Sequence, residues 1–164
     1  MKFLKRGFYT IVILLLLAQF IPRPEKNISS EIKTSDIRLM HACSEEVNEL
    51  LIKSCNDCHS NNTVYPWYAK IQPVAMFLGK HIREGKKELN FSEFGNYNLR
   101  KQYHKMEEVE EMIKDDEMPL KSYTLIHTKS KLSDGQKEIL IKWSEAIRDT
   151  MRLIYPLDSL INKK

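Results

Sequence analysis

The run Cys55-Asn56-Asp57-Cys58-His59 sets two thiols three residues apart, with an imidazole directly behind the second. Residues i and i+3 share one side of a helical turn. Both sulfurs can therefore reach one flat ligand while the histidine lies beneath it. This is the attachment signature of a c-type haem: Cys55 and Cys58 each form a thioether to a vinyl group, and His59 is the proximal iron ligand. A structural zinc site would need two further ligands, and no second Cys-x-x-Cys or finger-spaced histidine pair is present. A redox dithiol belongs at the strand-to-helix junction of a βαβ unit, and no strand pattern precedes Cys55. A Cys55–Cys58 disulfide is the remaining competitor. Cys43 is left without a role.

A haem iron held by His59 leaves a second axial position. Of seven methionines, Met106, Met112 and Met151 fall in helical patterns, where methionine usually fills core. Met76 lies off the main apolar face of its helix. Met118 stands in a non-helical stretch and precedes Pro119, which stiffens the chain, so it is the leading distal candidate. His81, on an apolar helix face, is the rival and would give a bis-histidine haem. His127 is a third candidate, whereas His41 and His104 read as surface residues. A closed His/Met pair limits chemistry to electron transfer, which points to a carrier rather than a catalyst. An open or bis-histidine distal site would suit a gas or redox sensor, or a peroxidase-like enzyme using His81 or His127 as acid–base group. Carbon monoxide binding to the reduced protein separates these readings.

The elements that position these residues read as helices. Ser44 is an N-cap followed by Glu45 and Glu46 in the first turn. Val47, Leu50, Leu51, Ser54, Cys55 and Cys58 then fall on one helical face, which predicts that the motif lies on the buried side. A second helix opens at Pro73, with Val74, Phe77, Leu78, His81 and Ile82 on its apolar face and Gly85 loosening its end. Residues 90–98 read as a loop, and a third helix spans 99–114 with Tyr103, Met106, Val109 and Ile113 inward. Residues 115–131 show no helical period. The last helix starts with a capping box at Ser133 and Gln136 and buries Ile139, Leu140, Trp143, Ile147 and Met151. Nothing alternates like a sheet, so the fold class is all-α, one small helical domain around one haem.

Residues 1–24 read as a signal or anchor. Lys2, Lys5 and Arg6 precede an uncharged run over residues 7–21, slightly short of the roughly 17–25 residues of a spanning helix. The run lacks an obvious cleavage site, which favours an uncleaved N-terminal anchor over a soluble periplasmic protein. Either way the remainder lies on the periplasmic side of the inner membrane. Residues 25–43 are a polar tether, and 44–164 form the haem-binding domain. The formal charge of +4 is accounted for by Lys2, Lys5, Arg6 and Arg23, so the exported part is neutral and no nucleic-acid partner is expected. Glu107, Glu108, Glu110, Glu111, Asp115, Asp116 and Glu117 form an acidic run. It reads as a solvated helix face, or as a steering patch for an unidentified basic redox protein.

Cys58-His59-Ser60-Asn61 with Thr63, Tyr65-Pro66-Trp67-Tyr68 and Pro73, then Leu89 to Phe94, Met118-Pro119 with Tyr123 and His127, and Leu132-Ser133 to Trp143 resemble, in order, blocks of the bacterial haem-binding domain proteins related to monohaem cytochrome c. Gln19-Phe20-Ile21 and Pro24-Glu25-Lys26-Asn27 are similar too. The resemblance implies a cytochrome c-like fold, a single haem, Met118 as distal ligand, and Tyr65 and Trp67 as haem packing. Where the family often carries Gly-Arg, this chain has Gly85-Lys86-Lys87. If that arginine meets a haem propionate, lysine is a weaker substitute, since it lacks the planar fork.

Overall fold

The computed structural model describes residues 2–29 and 31–161, and among them it is helical with no strand, as the all-α reading expects. The helices are α1 (Lys2–Ala18), α2 (Ile37–Met40), α3 (Glu45–Ser54), α4 (Asn56–His59), α5 (Val74–Glu88), α6 (Leu99–Lys114), α7 (Lys121–Ile126), α8 (Asp134–Ile154) and α9 (Leu157–Leu160). Short 3-10 turns lie at Trp67–Lys70, Phe91–Asn96 and Thr128–Ser130.

The scaffold is the pairing of α6 with α8, whose apolar stripes meet. Tyr103, Met106 and Ile113 from α6 face Leu140, Trp143, Ile147 and Met151 from α8, all buried. Each such side chain contributes about 1.5–3 kcal/mol on burial. The α8 capping box forms as expected, with Ser133 and Gln136 each satisfying the other's backbone amide. Arg148 on α8 ties the pair from outside, its guanidinium 2.8 Å from both Glu107 and Glu110 of α6. Ser44 caps α3 by accepting from the Val47 amide.

Several elements differ from the sequence expectation, each for a local reason. The helix through the motif is broken at Cys55 (φ −125°, ψ −43°). Its amide still closes α3 on Leu51, but its carbonyl accepts from both the Cys58 and His59 amides, at 3.2 and 3.0 Å, and so starts α4. Helix α5 packs on α4 and on the Trp67–Lys70 turn; of its expected apolar face Ile82 is buried, joined by Ala75, while Val74 and Phe77 are exposed. Close approach explains this: a Cβ on Gly79 would stand 2.7 Å from Pro24 Cγ, and one on Gly85 would stand 2.7 Å from the Cys58 carbonyl oxygen. Gly85 is thus a contact point, and the helix runs on to Glu88. Residues 90–98 hold a 3-10 turn, and 115–131 hold α7 and a second such turn, whose short helices carry too few turns for a period to show.

The polar segment 25–43 is bound along the domain rather than free. Asn27 donates through Nδ2 to the Ser60 carbonyl and Thr63 hydroxyl, at 2.8 and 2.9 Å, and its side-chain Oδ1 accepts from the Lys86 ammonium. Asp36 and Ile37 are fully buried. Helix α1 buries no residue, but its end is tied down: Gln19 exchanges two hydrogen bonds with the backbone of Gln72. Among the described residues no helix is long and apolar enough to cross a membrane, and α1 has 17 residues. The expected anchor therefore has no spanning helix behind it.

Candidate functional site

His59 is set by backbone groups far from it in sequence. Its Nδ1 donates to the Leu89 carbonyl at 3.0 Å, which leaves the Nε2 lone pair as the ring's metal-binding atom. Leu89 ends α5, and its position is held by the next residue: the Asn90 amide donates to the Tyr97 hydroxyl, and the Asn90 side chain donates to Asn61. Burial pushes the His59 imidazole below its ordinary value, which favours the neutral ring that a metal needs. Phe91 lies against it, with ring centroids 6.2 Å apart.

Cys55, Cys58 and Cys43 are all free thiols, so the competing disulfide is not formed. Burial raises Cys55 to about 12 and Cys58 to about 11, keeping both protonated near neutral pH. Among the described residues no group of three or more His, Cys, Asp and Glu side chains could hold a metal ion.

Two mainly apolar cavities of about 310 and 330 Å³ open beside the motif and share Cys55, His59, Glu88 and Met118. Each already falls in the roughly 300–1,000 Å³ range of cofactor pockets. The first is walled by Leu51, Leu89 and Phe91, by Val109, Met112 and Ile113 of α6, and by Leu140 and Trp143 of α8. The second is walled by Asp57 and Cys58, by His81 and Gly85 of α5, and by Pro119, Leu120 and Tyr123. The two adjoining cavities, taken together as a cleft, carry two thiols, a histidine whose Nε2 is left for a metal, a thioether and a greasy lining. That set fits a haem.

The structure sorts the distal candidates. Met118 borders both cavities together with His59. His81 borders the second, its Nδ1 bonded to the Phe77 carbonyl at 2.9 Å. His127 has both ring nitrogens engaged, Nε2 with the Tyr68 hydroxyl at 2.8 Å and Nδ1 with the Tyr123 carbonyl at 3.2 Å. It is not poised as a ligand. His104 pairs with Glu107 and Glu108 on the surface, whereas His41, expected at the surface, is half-buried edge-on to Phe94.

The aromatic residues expected to pack on haem do not border the cleft. Tyr65 and Trp67 line a separate groove with Arg23, Pro24 and Lys70 that shares no residue with it. Tyr65 is drawn there because its hydroxyl accepts from the Asn27 amide at 2.7 Å. Tyr68 lines a third, smaller hollow that also takes in Cys58 and His127. Lys86 is likewise turned away, onto Asn27; the cation that borders the cleft is Lys105, paired with Glu108 and Glu88. The acidic run is largely consumed internally: Glu107 and Glu110 by Arg148, Glu108 by Lys105, and Asp116 by Lys137. Asp57 and Tyr123, bonded across 2.6 Å, are site residues that the spacing alone did not single out.

No curated protein and no solved structure matches this chain. The family model described as the haem-binding domain matches residues 13–146, most of the chain and the whole of the cleft just described, and the chain belongs to that haem-binding domain family.

Proposed function

We propose that this protein holds a single haem c covalently through Cys55 and Cys58, with His59 as proximal and Met118 as distal ligand, and serves as an electron carrier outside the cytoplasm. The observation that carries this reading is the shared border of the two cavities, where Cys55, His59 and Met118 meet in one apolar cleft. When bound, haem supplies a one-electron couple.

The residues define how that couple would be used. The Leu89 carbonyl fixes the His59 tautomer and raises the basicity of its ligand nitrogen. The apolar lining from Leu51, Phe91, Val109, Ile113 and Leu140 excludes water and favours the less charged, reduced state. A thioether at the distal position leaves no open site for substrate, which separates a carrier from a peroxidase-like enzyme or a gas sensor. Helix α1, apolar and exposed along its length after Lys2, Lys5 and Arg6, supports attachment to a membrane surface or removal as a leader. In the leader role it would deliver the domain to the periplasmic side of the inner membrane. Redox exchange there with another protein completes the proposal.

Spectroscopy of the holoprotein tests it. The ferric Met–iron charge-transfer band should be present in wild type and in His81→Ala, and absent in Met118→Ala. A band lost in His81→Ala and kept in Met118→Ala would overturn the ligand assignment. Rapid, tight carbon monoxide binding by reduced wild type would replace the carrier with the sensor or enzyme reading.

A further inference from the structure

We propose that Tyr123 is a positioning residue: its hydrogen bond to Asp57 clasps the Met118 segment to the haem-attachment turn. The inference rests on the reading of Met118 as distal ligand.

The chain reaches Met118 from α6 through a Schellman closure. Asp116 adopts the left-handed conformation (φ 57°), the Asp116 amide donates to Ile113 and the Glu117 amide to Met112, at 3.3 and 3.0 Å. The Met118 amide shares the Met112 carbonyl at 3.1 Å. These backbone bonds fix the segment on its N-terminal side, to the end of α6.

The other side is fixed by Tyr123 on α7. Its hydroxyl donates to Asp57 Oδ2 at 2.6 Å, and Asp57 Oδ1 accepts from the Val64 amide at 2.9 Å, so both carboxylate oxygens are engaged. Asp57 stands between the two attachment thiols. The bond therefore joins the attachment turn to the Met118 segment through side chains alone. The Tyr123 ring is itself braced: His127 stacks on it with centroids 4.2 Å apart, and Tyr68 holds His127 from the far side. Asp57, Cys58, Met118 and Tyr123 all border one cavity, so the clasp closes the same cleft in which His59 and Met118 would meet the iron. Cutting it removes the direct tie between the Met118 segment and the attachment turn, and a weak thioether less firmly held gives way sooner to a competing ligand.

The test is titration of ferric holoprotein with imidazole, followed by loss of the Met–iron band. Tyr123→Phe keeps the ring and its histidine stack and removes only the hydroxyl. Its imidazole midpoint should fall roughly tenfold, the scale of one hydrogen bond to a charged acceptor, with covalent haem unchanged. Asp57→Asn retains an acceptor oxygen and should show a smaller fall. Combining it with Tyr123→Phe should add nothing further, since both cut one bond. An unchanged midpoint in Tyr123→Phe overturns the clasp and leaves Met118 ligation standing. So does a lowered urea midpoint with no change in imidazole affinity, the mark of a purely structural bond. A wild-type protein without the band overturns Met118 ligation and the clasp together.

Discussion

His59 Nδ1 donates a hydrogen bond to the Leu89 carbonyl oxygen across 3.0 Å. The two residues come from different helices, α4 and the end of α5, which pack against each other. The ring that follows the second thiol is therefore oriented by the neighbouring helix, not by its own turn. Anything that lifts α5 from α4 releases that carbonyl and lets the imidazole rotate.

Gly85 is where this dependence is most exposed. A methyl group there would meet the Cys58 carbonyl oxygen at 2.7 Å, and a backbone atom can give way only if α4 or α5 shifts. Helix propensity favours alanine by about 1 kcal/mol, while overpacking costs about 1–3 kcal/mol. Gly85→Ala should therefore destabilise the protein by about 1 kcal/mol and weaken the proposed ligation of iron by His59. Gly135 in α8 has no atom within 4 Å of an added Cβ, so Gly135→Ala should stabilise by a few tenths of a kcal/mol. Urea unfolding of both variants checks the opposite signs. A Gly85→Ala protein as stable as Gly135→Ala would remove the packing argument.

Covalent attachment predicts a graded loss. Cys55→Ser and Cys58→Ser, each expressed with haem-attachment machinery, should retain haem on a denaturing gel through the surviving thioether. Their reduced pyridine spectra should shift toward that of a haem with one unsaturated vinyl group. The double variant should show no haem on the gel. Staining of the double variant at wild-type intensity would rule out thioether attachment.

The local features were legible in the sequence: the residues of the proposed attachment motif are adjacent in the chain, α6 and α8 carry regular apolar stripes, and Ser133 announces its helix with a capping box. What stayed hidden depends on partners distant in sequence. Gly85 reads as a helix breaker until Cys58 is seen against it, and Ile37 sits in a polar stretch that composition alone assigns to a tether. Tyr65 and Trp67 lie close in sequence to Tyr68, yet the Asn27 amide holds Tyr65 in one groove while Tyr68 bonds to His127 and borders another. Backbone hydrogen bonds of this kind leave no periodic trace.

Gln72 illustrates the same point and gives a further prediction. It is fully buried, its Oε1 accepts from the Met76 amide in the first turn of α5, and its Nε2 donates to the Ile21 and Pro22 carbonyls. Pro73, the residue at the α5 N-cap, offers no side-chain bond, so Gln72 performs the capping from one position earlier. Gln72→Ala should cost about 1–3 kcal/mol through the polar groups it strands. Limited proteolysis should then cut near residues 19–24 at higher rate. Cleavage there at wild-type rate would mean that the N-terminal segment is held by other contacts.

Glu110 makes the stability of the α6–α8 pair depend on pH. Its carboxyl is held below the usual glutamate range, first by the hydrogen bond from Lys114 and then by the charges of Lys114 and Arg148, against an opposing effect of burial. A depressed carboxyl stabilises the fold above its unfolded value, roughly 4.3, and the contribution is lost as pH falls through the lower, folded value. Glu110→Gln should therefore cost about 1 kcal/mol at pH 7, where the carboxylate and both cations are charged. Below about pH 4 the wild-type and variant unfolding curves should converge, because the wild-type carboxyl is then being protonated and its charge advantage disappears. Urea unfolding at stepped pH measures the difference directly. A gap that stays constant from pH 7 into the acid range would assign the effect to shape rather than to the charge that Glu110 shares with Lys114 and Arg148.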